Sequence, residues 1–137
     1  MRMRHGAGLM CRVGFGVAGG LLMLGAAQAA AGDVERGRLL YQGRCSACHA
    51  PDYHGVGPLH RGVFGRGAGK APGYDYSPAL KAATLTWDDA SLDRWLADPE
   101  RLLPGQRMGV NVPDAAERAD LIAYLKSLAP RQSLRKE

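Results

Sequence analysis

The segment Cys45-Ser46-Ala47-Cys48-His49 contains residue types, at a spacing, that could bind a cofactor covalently. On one helical turn the two thiols lie on the same side of the chain, so each can add to a vinyl group of a haem. The histidine that follows then points at the iron. The motif predicts one covalently bound haem c, attached through Cys45 and Cys48, with His49 as an axial ligand.

Two other chemistries use a pair of cysteines with this spacing. A thioredoxin-like dithiol is one alternative, and a zinc knuckle is the other. A zinc site needs a second pair of ligands, whereas the only other cysteine of the chain is Cys11. The histidine directly after the second cysteine favours haem attachment over both alternatives.

The N-terminal 29 residues have the composition of a secretory signal peptide. A basic start that ends at Arg12 precedes the apolar stretch Val13–Ala27, and Ala27-Gln28-Ala29 is a small-x-small cleavage pattern. We therefore expect a signal peptide over residues 1–29 and a mature domain over residues 30–137. Export and thioether formation occur together in bacteria, so the leader and the haem motif both point to the periplasm.

An uncleaved membrane anchor is the alternative interpretation of the leader. The apolar stretch has only about fifteen residues and is interrupted by glycines, among them Gly14, Gly16, Gly19 and Gly20, whereas a membrane-spanning helix needs about 20 apolar residues. Cleavage is therefore the favoured expectation, with no membrane insertion afterwards. Cys11 would leave with the leader, and the haem would occupy both remaining cysteines, so no disulfide is expected.

The charge of the chain argues against one class of partner. The formal net charge is +5, from 18 basic and 13 acidic residues. Three of the arginines lie in the predicted leader, which leaves 15 basic residues against 13 acidic ones and a net charge of +2. Two haem propionates would bring the holoprotein close to neutrality. A nucleic-acid-binding domain would need a clustered basic face, so we expect no nucleic-acid partner.

Helical periodicity predicts the first and last elements that position the haem motif. One apolar stripe predicts a first helix over residues 33–44, directly before the motif. Asp114, with Glu117 three residues later as in a capping box, predicts a last helix over residues 114–128. Gly37 lies on the stripe of the first helix, where a glycine costs about 1 kcal/mol relative to alanine. We therefore expect the backbone of the last helix to pass close to Gly37, near Leu121 and Tyr124.

Two shorter helices are expected between these two. One runs from a cap at Thr86 or Asp88 to Ala97, and the other opens at Ser77-Pro78 and ends near Ala83. No segment shows the alternation of a β-strand, so the sequence predicts an all-α fold. Two stretches hold most of the glycines and prolines that follow the leader and are predicted to be loops around the cofactor: residues 50–76 and 98–113.

Several further blocks of sequence stand around the haem motif: Gly37 and Tyr41, Gly57-Pro58, Gly65-Arg66, Ala71-Pro72-Gly73-Tyr74, Thr86-Trp87, Pro104-Gly105-Gln106-Arg107-Met108, and the run from Glu117 to Leu125. In these blocks and their order, residues 33–129 resemble class I cytochrome c, in particular the mitochondrial cytochrome c and bacterial cytochrome c2 branch. The resemblance implies an all-α, small monohaem cytochrome fold. Its N- and C-terminal helices pack across each other, and its loops wrap the haem.

The resemblance also implies a second axial ligand. In that family it is the methionine of a Pro-Gly-x-x-Met segment, which corresponds to Met108 here. A soft thioether opposite histidine favours ferrous iron and raises the reduction potential, as suits an electron carrier. Every other methionine lies in the predicted leader. The competing ligands are His54 and His60, which lie in loops after the haem motif.

Further positions follow from the same resemblance. Pro58 is expected to pack against the proximal side of the haem, and its neighbourhood to accept the second ring proton of His49. Four residues match the positions that hold the haem propionates in the family: Arg66, Tyr76, Ser77 and Trp87. The alternatives are an ordinary core aromatic at Trp87 and a solvated surface charge at Arg66.

The sequence also departs from the family pattern. Pro58-Leu59-His60-Arg61 stands where the order Gly-Pro-x-Leu is familiar, which puts the proximal packing in doubt. Trp95 stands where mitochondrial proteins have a tyrosine that hydrogen-bonds the methionine sulfur, and an indole can donate but not accept. Asp98 and Glu100 lie in a segment that often carries lysines, so the partner need not have an acidic surface.

Taken together, these features predict a periplasmic, monomeric, monohaem c-type cytochrome rather than an enzyme. It would carry single electrons between donor and acceptor proteins that dock transiently. The alternatives are the cytochrome subunit of a specific dehydrogenase, or a haem enzyme or sensor with an open sixth position. Catalysis would require a distal acid or base, and Arg107 is the one candidate near Met108.

Overall fold

The computed structural model describes residues 31–130, and within them the chain is helical and irregular. The predicted signal peptide and Cys11 lie outside the described residues. There are five helices in this part of the chain: α1 (Val34–Arg44), α2 (Pro78–Ala82), α3 (Asp89–Ala97), α4 (Pro99–Leu102) and α5 (Ala115–Ser127). The described residues form no strand, only an isolated antiparallel bridge between Gly67 and Thr86. The predicted all-α class is confirmed.

Side-chain caps set the helix starts near where the sequence predicts them. The Asp33 carboxylate accepts the Arg36 N–H at 2.8 Å and starts α1. Asp88, rather than Thr86, caps α3, and its exchange of hydrogen bonds with Ser91 makes a complete capping box. Each cap satisfies backbone N–H groups that have no partner inside the helix.

The capping box predicted at the start of α5 is only half formed. The Asp114 carboxylate accepts the Glu117 N–H at 2.9 Å, as expected. The Glu117 carboxylate does not return the contact, because it pairs with Arg44 of α1 at 2.8 Å. Glu117 therefore ties the first helix to the last instead of closing its own helix end.

Helix α4 corrects the prediction of an uninterrupted loop over residues 98–113. Pro99 occupies its first turn, where a proline loses no hydrogen bond because that N–H would lack a partner in any case. The Asp98 carboxylate accepts the Arg101 N–H at 3.0 Å and caps the turn. The same proline that ends α3 therefore begins a second, one-turn helix.

Helices α1 and α5 cross at Gly37, as predicted. A Cβ atom on Gly37 would lie 2.0 Å from the Asp120 carbonyl oxygen and 2.9 Å from the Tyr124 Cβ. No side chain fits at that distance, so only glycine allows this approach. The residues that meet Gly37 are Asp120 and Tyr124, rather than the expected pair of Leu121 and Tyr124.

The core lies between this crossing and α3. Its central side chain is Leu121, which is 1% exposed and faces away from solvent on α5. The other large apolar members of the same buried cluster come mainly from α1, α3 and α5: Tyr41, Leu92, Trp95, Leu96, Ile122, Leu125 and Val112. Among the described residues, no helix is long and apolar enough to cross a membrane.

A buried carboxylate attaches the N-terminal segment to α5. Asp120 accepts the Asp33 N–H at 2.6 Å and two guanidinium hydrogen bonds from Arg36, at 2.8 and 3.0 Å. The Arg36 guanidinium, and after it the Asp33 N–H, lower the pKa of Asp120 below its usual value. The ionised carboxylate therefore helps to hold α1 and the residue before it against α5.

We expect Asp120→Asn to lower stability at pH 7 by more than it does in acid. A lowered folded-state pKa contributes stability above the unfolded value of about 4, and that contribution is lost as the pH falls through the folded value. The difference in urea midpoint between parent and variant should therefore narrow from pH 7 to pH 3. Glu35→Gln is the control, because Glu35 forms an exposed ion pair with Arg38 on the same helix. Exposed pairs contribute little to stability, so this substitution should change the urea midpoint only slightly. A difference independent of pH would contradict the assignment.

Candidate haem site

A cavity of about 370 Å³ lies between α1, α3, α5 and the loops that join them. Much of its wall is apolar, with Leu92, Val112 and Leu121 among the lining side chains. All eight residues predicted to contact the cofactor or its iron line this one cavity: Cys45, Cys48, His49, Arg66, Tyr76, Ser77, Trp87 and Met108.

The two cysteines follow directly on α1. Cys45 is the residue after the last helical turn, and its carbonyl accepts the backbone N–H groups of Cys48 and His49 at 3.0 and 2.9 Å. These bonds continue the turn and keep the motif compact. Cys45 is half-buried and Cys48 is exposed.

The environment of Cys45 argues against a redox dithiol. Burial raises the pKa of its thiol to about 11, with Cys48 adding to the rise and Arg44 opposing it. A reactive dithiol needs an attacking thiol whose pKa is lowered. Thioether attachment fits this site better than thiol–disulfide exchange.

The His49 ring is held along one edge by the segment that follows the motif. Its Nδ1 lies 2.8 Å from the Pro58 carbonyl oxygen and donates to it, the contact that the family resemblance implies. Nε2 is then left without its proton and available to a metal. Burial lowers the pKa of His49, partly offset by the Pro58 carbonyl, so the ring is kept neutral, as a ligand must be.

Gly57 also restricts the position of the His49 ring. A Cβ atom at Gly57 would lie 2.2 Å from the His49 Cε1, so any side chain there would displace the ring. The glycine is buried and its backbone N–H donates to the Cys48 carbonyl at 2.8 Å. The Gly-Pro block is therefore explained by close approach to the imidazole.

His60 also lines the cavity, on the same side as His49. The two rings stack with centroids 4.1 Å apart and planes 17° apart. The His60 Nδ1 lies 3.2 Å from the Tyr41 hydroxyl. Burial, together with the nearby His49 and Arg66, lowers the pKa of His60 to about 3. A ring stacked on the proximal imidazole is poorly placed to bind the iron from the opposite side.

His54 does not line the cavity. Its Nδ1 accepts the Leu59 N–H at 3.1 Å, and its Nε2 donates to the Pro72 carbonyl at 2.9 Å. Both ring nitrogens are therefore used to join two loops. The Tyr74 hydroxyl makes a second hydrogen bond between these loops, because it donates to the Val56 carbonyl at 2.5 Å. This bridging role was not predicted from the sequence, because it depends on loops 18 residues apart.

The residues expected to hold propionates provide polar groups at the cavity wall. The Arg66 guanidinium donates to the carbonyls of Leu59 and Arg61 at 3.0 and 3.1 Å, while its buried Nε has no partner among the described residues. Burial lowers the pKa of Arg66. A buried N–H of a cation with no acceptor calls for an anionic one. Arg66 is thus half-buried beside the cavity, rather than the solvated surface charge considered as its alternative.

Tyr76, Ser77 and Trp87 are all buried, with at most 6% exposure. The Tyr76 hydroxyl accepts the Ala71 N–H at 3.3 Å, which leaves its own proton free to be donated. The Ser77 hydroxyl likewise accepts the Leu80 N–H at 3.3 Å at the start of α2. An apolar cavity with these donors fits a porphyrin that carries carboxylates, so the residues present are suited to haem.

Met108 lies half-buried in the loop after α4 and packs against the core cluster. The Gln106 side-chain oxygen accepts its backbone N–H. Glu100 organises the same loop, because its carboxylate accepts the Gly105 N–H at 2.9 Å and the Gln106 amide at 3.2 Å. This role of Glu100 was not predicted from the sequence. The spacing of five residues between Glu100 and the turn glycine Gly105 is the signal that could have indicated it.

Trp95 is buried on α3 and lies against Trp87, with ring centroids 5.3 Å apart. Both indoles line the cavity. The tyrosine expected in this position from mitochondrial proteins is therefore replaced by a larger ring that packs beside a propionate candidate.

Comparison with known proteins gives consistent matches to one family. The sequence model described as Cytochrome c matches residues 34–129. Cytochrome c of Euglena viridis is 40% identical over 100 residues, covering 71% of this chain and 98% of that protein. Cytochrome c2 of Rhodomicrobium vannielii is 40% identical over 111 residues, covering 78% of this chain and 88% of that protein. The solved structure of cytochrome cH from Methylobacterium extorquens is 45% identical with a TM-score of 0.67, covering 70% of this chain and 99% of that one.

Proposed function

Because this chain belongs to the cytochrome c family and carries a covalently attached haem c, we propose that it transfers single electrons between redox proteins in the periplasm. The observation that carries the proposal is the convergence of the CxxCH motif, Met108 and the propionate candidates on one cavity. Haem c, when bound, supplies an iron that alternates between the ferric and ferrous states.

The residues of this chain would keep that iron six-coordinate and its surroundings rigid. Cys45 and Cys48 would hold the cofactor to the turn after α1, and His49 and Met108 would be the ligands of its iron. The Pro58 carbonyl holds the His49 tautomer, and the Glu100–Gln106 contacts hold the Met108 loop. A site whose ligands do not change position needs little reorganisation when the charge changes, which suits electron transfer.

The arrangement favours a carrier over an enzyme. Met108 would fill the coordination position that a substrate needs, and its sequence neighbour Arg107 lines the cavity together with Asp75, with which it interacts electrostatically. His60 lines the cavity too, but it stacks on His49 instead of facing Met108. With Met108 as a ligand, no coordination position would remain at which an acid or base could act on a bound substrate.

A partner would dock at the mouth of the cavity. Val56 and Val110 line the cavity and are 78% and 45% exposed, and the exposed Cys48 lies beside them in the lining. A small, partly apolar contact is typical of transient redox encounters, so we propose a monomer that binds donor and acceptor in turn. The predicted leader supports export to the periplasm.

Intact mass after acid–acetone extraction tests the proposal. We expect one haem to stay on the wild-type polypeptide. The mature chain should begin within two residues of Ala30. In the double variant Cys45→Ser/Cys48→Ser, the haem should be lost into the solvent. Cys11→Ser is the matched control and should leave the mature mass unchanged, because the leader carries that cysteine away. Complete loss of haem from the wild type would contradict the function, and a native chain that retains Cys11 would contradict leader cleavage.

A further inference from the structure

His60 is a departure from the family pattern that the proposed function leaves unexplained. It stands where the order Gly-Pro-x-Leu places a leucine, and its ring covers the face of the His49 imidazole. The ring centroids are 4.1 Å apart and the planes are nearly parallel, 17° apart. An imidazole therefore takes the place of an aliphatic side chain against the proximal ligand.

The His60 ring is held from several directions. Its backbone N–H donates to the Ala50 carbonyl at 3.0 Å, and its own carbonyl accepts the Val63 N–H at 2.9 Å. Its Nδ1 is 3.2 Å from the hydroxyl of Tyr41, a side chain that is 3% exposed and packs on Tyr124 of α5. The ring cannot turn without breaking the contact with Tyr41, so its plane is fixed by the helix crossing.

The His49 ring is thereby held on its edge and on its face. The Pro58 carbonyl holds Nδ1, and Gly57 closes against Cε1. These two contacts restrict the position of the ring. Rotation about the bond to the iron is opposed by the stacked ring of His60, because aromatic rings in contact prefer defined relative geometries.

We propose that His60 is a positioning residue for electron transfer, whose stacked ring fixes the plane of the His49 imidazole and favours the ferric state. This inference rests on the proposed function, in which His49 is the axial ligand. Oxidation removes one electron, which passes to the acceptor, and leaves an added positive charge on the iron and its ligands. A π face stabilises nearby positive charge in a way that a leucine side chain does not.

The test compares His60→Leu with His60→Phe in the ferric and ferrous holoprotein. We expect His60→Leu to shift the reduction potential upward and to change the hyperfine-shifted NMR resonances of the His49 ring. His60→Phe keeps the stacked ring and loses only the contact with Tyr41, so its potential should stay nearer to that of the wild type. Tyr41→Phe removes the hydroxyl alone and should change the His49 resonances.

His54→Leu is the matched control, because His54 also makes two hydrogen bonds within the loops but does not line the cavity. It should lower the denaturation midpoint and leave the potential and the His49 resonances unchanged. The inference is overturned if His60→Leu changes neither readout, or if the leucine and phenylalanine variants shift the potential equally. If His60→Leu does not fold, unchanged His49 resonances in Tyr41→Phe overturn it.

Failure of the proposed function would be recognised separately. If His49 is not an axial ligand, the wild-type ferric protein will show no hyperfine-shifted resonances from its ring. That result would contradict the haem site itself. If the His49 resonances are hyperfine-shifted but do not change in the His60 variants, only the positioning role is contradicted.

Discussion

Met108→Ala is expected to open the sixth coordination position and to lower the reduction potential by a substantial part of the ~0.8 V range that axial ligands span. The thioether favours ferrous iron, and its loss leaves His49 as the one strong axial ligand. Carbon monoxide and cyanide should then bind readily. The weak long-wavelength absorption band of the ferric state, which reports iron–methionine ligation, should disappear.

Val110→Ala provides the control for this change. Val110 lines the same cavity two residues later and is 45% exposed, but it has no atom that could bind iron. Its spectrum and potential should match those of the parent. If the absorption spectrum of Met108→Ala were the same as that of the parent, Met108 would not be the ligand, and His54 or His60 would have to be the distal ligand instead.

Gly37→Ala is expected to destabilise the protein more than its size suggests. Even one methyl group would lie 2.0 Å from the Asp120 carbonyl oxygen, a backbone atom that cannot move aside without shifting α5. Overpacking of a filled core costs about 1–3 kcal/mol, and Gly37→Leu should reach or exceed the upper end. The absorption spectrum of folded protein should survive, because the crossing lies away from the iron. Guanidinium unfolding followed by circular dichroism measures the loss.

Gly43→Ala is the matched control on the same helix. A Cβ atom there meets nothing within 4 Å. This substitution should be neutral or stabilising by up to about 1 kcal/mol, since alanine is the better helix former. If the free energy of unfolding falls in Gly37→Ala and rises in Gly43→Ala, the loss at Gly37 is due to the helix crossing and not to intrinsic helix propensity. Equal stability of Gly37→Ala and the parent would show that the helices can move apart at little cost.

Local patterns account for much of what the sequence predicted. Asp33, Asp88 and Asp114 cap helices because a carboxylate next to the first turn meets N–H groups only two or three residues away. The close approach at Gly37 could also be predicted, since a glycine on an apolar stripe is costly unless another backbone needs the space. Signals of this kind depend on near neighbours in the sequence.

What the sequence did not predict depends on residues that meet only after folding. The contact of His60 with Tyr41 joins residues 19 apart, and Glu117 leaves its own helix to pair with Arg44, 73 residues away. The short helix α4 differs from the predicted loop over residues 98–113 for a local reason, because a proline such as Pro99 can begin a helix as well as follow the end of one. Met108 could be proposed as a ligand by resemblance, but the contacts that hold its loop could not.

The crossing of α1 and α5 also joins two segments that leave a ribosome or an export channel far apart in time. Asp120 binds Asp33 and Arg36 across 87 and 84 residues, so the N-terminal helix lacks its partner helix until nearly the whole chain is available. Closing so long a segment slows folding, because the chain loses entropy before the contact forms. On the proposed export route, a chain that emerges from its N-terminus presents Cys45 and Cys48 in an open segment until α5 arrives. The topology thereby provides an interval in which the thiols are accessible for haem attachment before the cavity closes.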